Sequence, residues 1–247
     1  MSHIHINVDQ VSFSYEHGEK ILEDITFTAR EHDAIGLIGA NGVGKSTLLK
    51  LLVGLNTEYE GSIRVEEIPV EKATLPRVRE KVGYVFQDSD SQLFMTTAYE
   101  DIAFAPRNYG LSQAEVDSRV QHALEMVHIE HLRDKQIYKM SGGEKKLVSI
   151  ATILSMIPDI ILMDEPSVAL DPRNRRNLIH ILNEFEHLKI IASHDLDFIL
   201  DTCNRTILMA DGKIIADGAT REILENRALL EENGLELPYC MQGKQTC

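Results

Sequence analysis

The run Gly39-Ala40-Asn41-Gly42-Val43-Gly44-Lys45-Ser46, followed by Thr47, fills every fixed position of the pattern G-x-x-x-x-G-K-[ST]. Glycines at these points free backbone N–H groups to wrap a phosphate, and a helix starting at the end of the loop adds partial positive charge. In such a loop Lys45 reaches the β- and γ-phosphates and Ser46 ligates Mg²⁺. A second signal is independent of the first. The apolar run Ile160-Ile161-Leu162-Met163 ends in Asp164-Glu165-Pro166. Adjacent carboxylates at the carboxyl end of a buried strand sit where α/β sheets hold their ligands. Asp164 is expected to hold Mg²⁺, and Glu165 to orient and polarise an attacking water.

These two signals leave kinases, helicases and GTPases open. The run Met140-Ser141-Gly142-Gly143-Glu144-Lys145-Lys146 narrows the choice. By itself Ser-Gly-Gly-Glu reads as a helix cap. With the loop and the paired carboxylates, however, the chain resembles the ABC ATPase family, whose signature is L-S-G-G-Q or L-S-G-G-E; Met140 replaces the usual Leu. The resemblance covers about residues 5 to 220. It implies that Ser141, Gly142, Gly143 and Glu144 cap the γ-phosphate bound on a second subunit, so that ATP and Mg²⁺ are held between two copies or two similar chains. It further implies that Tyr15 stacks on adenine, that Gln87 senses Mg²⁺ and the attacking water, and that His194 contacts the γ-phosphate. Ser167-Val168-Ala169-Leu170-Asp171 is similar to the loop that communicates between the two sites, which makes Asp171 a nucleotide-site residue.

Within that family, Val85-Phe86-Gln87-Asp88-Ser89-Asp90-Ser91-Gln92-Leu93-Phe94 and Glu100-Asp101-Ile102-Ala103-Phe104-Ala105-Pro106 resemble the ATPases of energy-coupling-factor (ECF) importers, most of all the cobalt and nickel type. The short stretch after Thr220 and the close Leu235-Glu236-Leu237-Pro238 agree with that type. Leu147, where a basic residue is common, and Ser167-Val168 depart from its pattern and put the solute in doubt, not the ATPase. The resemblance implies an integral membrane coupling subunit, whose short helices each carry an arginine, and a substrate-binding membrane subunit. Asp88, Asp90, Glu100 and Asp101 are expected to form a self-repelling acidic groove for such a cationic partner. The alternatives are a vitamin-type ECF motor or another ABC importer ATPase, and from a different class a non-transport ABC protein acting on nucleic acid or ribosomes. A dead nucleotide site is opposed by the presence of Lys45, Asp164, Glu165 and His194.

The elements that must position these residues read as α/β. Ile4, Ile6 and Val8, then Val11, Phe13 and Tyr15, then Ile25, Phe27 and Ala29 alternate like strands, with a turn at Glu16-His17-Gly18-Glu19. The strand Ala34–Ile38 leads into the loop and a helix from Ser46 to Val53. Strands follow at Ile63–Val65 and Val82–Phe86. Helices are expected at Thr97–Ala105, Ser112–Val127 and Ser141–Ser155. Beyond them come the strand Ile160–Met163, a helix capped by Asp171 with Pro172 at its first position, and a strand Lys189–Ser193. A helix from Asp195, a hairpin Ile207–Ile215 about Asp211-Gly212, and a helix capped by Thr220 end the pattern. The alternation implies an α/β fold with a mainly parallel sheet and an inserted α-helical subdomain. The resemblance implies more closely a P-loop NTPase with a RecA-like parallel sheet and an N-terminal antiparallel β subdomain. Residues 1–247 form one domain, with the helical insertion at about 88–155 and a short tail at about 221–247.

Composition sets the outer bounds. The chain has 247 residues, is 43% hydrophobic and 26% charged, and carries a formal net charge of −14. Those fractions are ordinary for a globular protein. The acidic balance argues against a nucleic-acid partner, which would need a basic surface, and Arg173-Asn174-Arg175-Arg176 reads as a solvated helix start. No apolar run reaches the roughly 18 residues that span a bilayer, and Met1-Ser2-His3-Ile4-His5 is unlike a signal peptide. The expectation is a cytosolic polypeptide, peripheral at the cytoplasmic face of the cell membrane and held there by partners. Cys203, Cys240 and Cys247 lack metal-ligand spacing and read as reduced thiols. His3 and His5 share one face of a strand and read as surface histidines.

Overall fold

The computed structural model describes residues 4–15 and 18–242. His3, Cys247 and the Glu16-His17 half of the expected turn lie outside them. The chain opens with β1 (Ile4–Ser14) and β2 (Lys20–Arg30), then β3 (Ala34–Ile38), α1 (Lys45–Leu52), β4 (Glu60–Val65) and β5 (Ile68–Pro69). Next come α2 (Leu75–Lys81), β6 (Val82–Val85), α3 (Ala98–Asn108), α4 (Gln113–Met126) and α5 (Gly142–Leu154). The remainder is β7 (Ile160–Asp164), α6 (Pro172–Glu184), β8 (Leu188–Ala192), α7 (Leu196–Thr202), β9 (Arg205–Ala210), β10 (Lys213–Ala219), α8 (Thr220–Glu225) and α9 (Arg227–Glu232).

Two sheets result. An antiparallel one has the order β2-β1-β4-β5, and a mainly parallel one has the order β10-β9-β3-β8-β7-β6, antiparallel only at its β10–β9 hairpin. In β1 the apolar phase slips from Ile6 and Val8 to Val11 and Phe13, all buried. The slip coincides with a register break between Val8 and Val11 and with Gln10 at φ 51°. A bulge at this point keeps both halves of the strand facing one core.

The parallel strands are buried on both faces, so they read as unbroken apolar runs. Ile160 and Leu162 of β7 join the core between the two sheets, which also takes Leu48, Leu49, Leu51 and Leu52 of α1. Ile161 and Met163 face the opposite way, into the core shared with α3 to α8. Helices α3, α4 and α5 lie between β6 and β7, where the helical insertion is expected. Each of the three starts with a capping box, formed by Thr97 with Glu100, Ser112 with Glu115, and Ser141 with Glu144.

Several expectations need correction. Thr220 does not cap α8: Ala219 holds that position, and the Thr220 hydroxyl instead accepts a buried hydrogen bond from Thr206 Oγ1 at 2.9 Å. The strand expected at Lys189–Ser193 is shifted back by one residue. Strand β5 and helices α2 and α9 have no counterpart in the sequence reading. The segment after α9 is anchored, because Asp197 accepts hydrogen bonds from Tyr239 N and Cys240 N at 2.8 and 3.0 Å. Leu235, Leu237 and Met241 of that segment pack on the larger core.

Among the described residues no helix is long and apolar enough to cross a membrane. Nor does any group of three or more His, Cys, Asp or Glu side chains have the arrangement to hold a metal ion. His5 lies 3.9 Å from Glu66 with its side chain mostly buried, so it is not a surface histidine. Burial pushes the Cys203 thiol up to about 12, which keeps it protonated and unreactive. Arg175 is paired with Asp195, its Nε and Nη2 donating at 2.9 and 3.1 Å, and is not simply solvated.

Candidate nucleotide site

Four neighbouring strands of the parallel sheet, in the order β3-β8-β7-β6, end on one edge. Their carboxyl ends deliver the glycine loop after β3, His194 after β8, Asp164 and Glu165 at the end of β7, and Gln87 after β6. This is the edge at which open parallel sheets bind ligands. A cavity of about 450 Å³ there is lined by Tyr15, Lys45, Ser46, Thr47, Gln87 and Glu165 among others.

The loop's glycines are needed for different reasons. Gly44 sits at φ 104°, and a Cβ on it would lie 2.6 Å from Leu22 Cδ2 and 3.0 Å from Ile21 O. Gly39 sits at φ 148°, and a Cβ there would lie 2.2 Å from Met209 O. Gly42, at φ 84°, has nothing within 4 Å of where a Cβ would be and faces open space. Lys45 is 7% exposed, and its Nζ donates to Gly39 O at 2.7 Å and Ala40 O at 2.9 Å. Burial pulls its pKa down, and the charges of Glu165 and Asp164 oppose that shift.

The Ser46 hydroxyl donates to Asp164 Oδ1 at 2.9 Å, joining the glycine loop to the end of β7. Tyr84 Oη approaches the other carboxylate oxygen at 3.4 Å. Burial raises the Asp164 pKa, the Ser46 hydrogen bond lowers it, and the neighbouring Glu165 charge raises it further. A hydroxyl and a carboxylate held together form a hard-oxygen donor pair that suits Mg²⁺, which usually takes one or two carboxylates plus substrate phosphates.

Glu165 turns the chain out of β7 at φ 47°, in the left-handed region, and its N–H donates to Ala192 O at 2.9 Å. For a residue with a Cβ that conformation costs on the order of 1 kcal/mol. Its buried carboxylate accepts from Ser193 Oγ and from His194 N, both at 3.1 Å, and stands 2.9 Å from His194 Nδ1. A carboxylate can only accept, so Nδ1 carries the proton and the outer ring nitrogen is left for a ligand. Tyr15 is half-exposed, packed edge-on against Phe13, with its hydroxyl 3.4 Å from Thr47 Oγ1.

Other expected site residues are not brought into this cleft. Ser141 Oγ accepts from Glu144 N at 3.3 Å, and the Glu144 carboxylate accepts from Ser141 N at 2.8 Å and pairs with Lys135 at 2.7 Å. In the isolated chain the Glu144 carboxylate is engaged in the cap of α5 and in the Lys135 pair. The Asp171 carboxylate accepts from Arg173 N, Asn174 N and Asn174 Nδ2 as the cap of α6. Gly142 and Gly143 lie against Ala169 of the following loop.

The acidic quartet is also not a self-repelling groove. Asp101 is buried and accepts from Phe94 N and Met95 N, Glu100 belongs to the Thr97 capping box, Asp88 accepts from Asp90 N and Ser91 Oγ, and Asp90 pairs with Lys145 at 2.5 Å. Four residues that sequence reasoning missed support the cleft from behind: Tyr84, Gln92, Lys146 and Ser193. Gln92 and Lys146 lie inside the Val85–Phe94 and Met140–Lys146 runs, and Ser193 directly precedes His194, but sequence reasoning assigns none of the three a role.

A family model described as ABC transporter matches residues 22–168. An ABC transporter ATP-binding protein of Geobacter sulfurreducens is 48% identical over 100% of this chain and 99% of its own length. The energy-coupling factor transporter ATP-binding protein EcfA of Carboxydothermus hydrogenoformans is 37% identical over 96% of this chain and 88% of its own. A solved structure of cbiO1 from Clostridium perfringens, described as part of the ABC transporter complex cbiONQ, superposes with a TM-score of 0.82. It shares 32% identity and covers 97% of this chain and 98% of that one.

Proposed function

This chain belongs to the ABC transporter family as an ATPase coupled to transport, and from that membership we propose that it drives an ECF-type importer of cobalt or nickel ions. It works as a dimer with two shared ATP sites. It rests on the cytoplasmic face of the membrane, against an integral coupling subunit and a substrate-binding membrane subunit. The likeness to EcfA and to cbiO1 supports the ECF assignment. The metal rests on the resemblance of Val85–Phe94 and Glu100–Pro106 to the cobalt and nickel type.

The observation that carries the shared site is a separation. The cleft around Lys45 is lined by the glycine loop, Tyr15, Gln87 and Glu165, and not by Ser141, Gly142 or Gly143. Ser141 and Gly142 are exposed at the start of α5, which suits them to a nucleotide held by another copy.

In each site Tyr15 packs on adenine, the loop from Gly39 to Thr47 wraps the phosphates, and Lys45 leaves its loop carbonyls for the β- and γ-phosphates. Ser46, Asp164 and Gln87 would hold Mg²⁺, which would supply neutralisation of the phosphate charge. Glu165, fixed by Ser193 and His194, orients and polarises the water that attacks the γ-phosphate. The outer nitrogen of His194 meets the γ-phosphate, and the Ser141 hydroxyl with the N–H groups at the start of α5 closes the site in trans.

The test has two parts. Glu165→Gln is expected to keep ATP binding while lowering turnover about 10²- to 10⁴-fold. Cells lacking the chain are expected to accumulate less cobalt or nickel from a limiting supply, restored by the wild type and not by Glu165→Gln. Unchanged metal uptake without the chain contradicts the metal assignment, and near-normal turnover of Glu165→Gln contradicts the role of Glu165.

A further inference from the structure

A buried lysine lies behind the cleft and has no part in the chemistry described so far. Lys146, on α5, is 2% exposed and is one of the largest fully buried side chains. Its Nζ donates to Phe86 O at 2.9 Å and to Gln87 O at 2.7 Å. Desolvating an ammonium group is costly. Burial lowers its pKa, and the charges of Asp164, Asp88 and Glu165 oppose the shift.

The two carbonyls it grips belong to the turn from which the Gln87 side chain enters the cleft. The same turn is held a second way. Gln92 Oε1 accepts from Phe86 N at 3.1 Å, while Gln92 Nε2 donates to Ser149 O at 2.7 Å and Thr152 Oγ1 at 2.8 Å, both on α5. A single helix therefore holds the Phe86–Gln87 backbone through its carbonyls and, by way of Gln92, through an N–H. The N-terminus of that helix carries Ser141, Gly142 and Gly143.

We propose that Lys146 is a positioning residue for ATP hydrolysis: its grip on the Phe86 and Gln87 carbonyls sets Gln87 in the cleft and ties it to the helix that presents the Ser141 loop to the second nucleotide. An apolar side chain of the same length would fill the space but leave the turn free to rotate away from α5. This inference rests on the assignment of Gln87 to the nucleotide site.

The experiment is a kinetic cycle on the full-length chain with Lys146→Met, Lys146→Gln, Gln87→Ala and the two doubles that combine a Lys146 change with Gln87→Ala. Melting temperature and ATP affinity are measured alongside. Lys146→Met is expected to lower kcat about 10- to 100-fold, as misplacement of a catalytic group by about 1 Å does, with ATP affinity changed less than about 2-fold. Lys146→Gln keeps two N–H donors without the charge and is expected to recover most of the rate. Added to Gln87→Ala, Lys146→Met is expected to cost less than about 2-fold more, because both act through one group.

Multiplicative losses in the double variant, or Lys146→Gln as slow as Lys146→Met, would overturn the proposal. If Lys146→Met does not fold, the cycle is run with Lys146→Gln, whose smaller loss must still vanish in the Gln87→Ala background. Wild-type turnover in Gln87→Ala alone would remove the Gln87 assignment and this inference with it. A slow Gln87→Ala with multiplicative losses removes Lys146 only.

Discussion

The Asp164 carboxylate is 3% exposed, sits between the Ser46 and Tyr84 hydroxyls, and is held by burial above the ordinary aspartate pKa despite both contacts. Its folded-state pKa therefore exceeds its unfolded one, and the folded chain binds the proton more tightly. The sign follows from linkage: the stabilisation is complete below the unfolded pKa and is lost as pH rises through the folded value, so at pH 7 the ionised group is a net cost. Asp164→Asn removes that cost. The apo variant is expected to melt at or above the wild-type temperature at pH 7, with the difference shrinking toward about pH 4. Its Mg²⁺-dependent turnover is expected to fall steeply. A clear drop in melting temperature at pH 7 would contradict this reading of Asp164.

Lys45, Asp164, Glu165 and His194 were legible in the sequence because each must stand at a fixed step from a glycine turn or a strand end. Tyr84, Lys146 and Ser193 stand in or beside the motif runs, but each acts through a hydrogen bond to a partner distant in the chain (Asp164, the Phe86 and Gln87 carbonyls, and Glu165), which local spacing does not reveal. Glu144 and Asp171 could be read both ways, because a carboxylate that caps a helix and one that waits for a ligand look alike in sequence.

At the scale of elements, the glycine loop separates folding from binding. Gly44→Ala forces a Cβ at φ 104° against Leu22 and Ile21 O, whereas Gly42→Ala adds one at φ 84° with nothing within 4 Å. Left-handed backbone alone costs roughly 1–2 kcal/mol for a residue with a Cβ. Both variants are expected to lose ATP affinity, and Gly44→Ala is expected to lose more stability because it adds a clash to the strain. Equal melting temperatures for the two would count against that distinction; the check is thermal unfolding beside nucleotide titration.

The starts expected for the three insertion helices, at Thr97, Ser112 and Ser141, coincide with Ser/Thr-x-x-Glu capping boxes, a local signal that fixes a helix start. Short elements such as β5, two residues long, offer too few positions for any period to register. The acidic quartet after β6 misled because charge alone does not reveal that Glu100 and Asp101 are satisfied at the start of α3.

At the scale of the whole molecule, the proposed site divides the groups for one phosphate chain between two places. Lys45, Ser46, Gln87 and Glu165 line one cleft, while the Ser141 loop opens elsewhere, on a chain with a formal net charge of −14. Two such acidic copies repel; on the proposed reading the contacts to shared ATP offset that repulsion, so association is expected to depend on nucleotide and to strengthen with salt. The most direct measurement is the molecular mass in solution of Glu165→Gln, with and without ATP, in combination with Ser141→Arg or Lys45→Ala. The account predicts that Glu165→Gln becomes a dimer only with ATP, and that adding Ser141→Arg blocks dimerisation while one chain still binds ATP. Mixing Ser141→Arg chains with Lys45→Ala chains is predicted to restore at most one complete site per pair. A Glu165→Gln chain that stays monomeric with ATP bound, or a Ser141→Arg chain that has itself lost ATP affinity, would contradict a site shared between two copies.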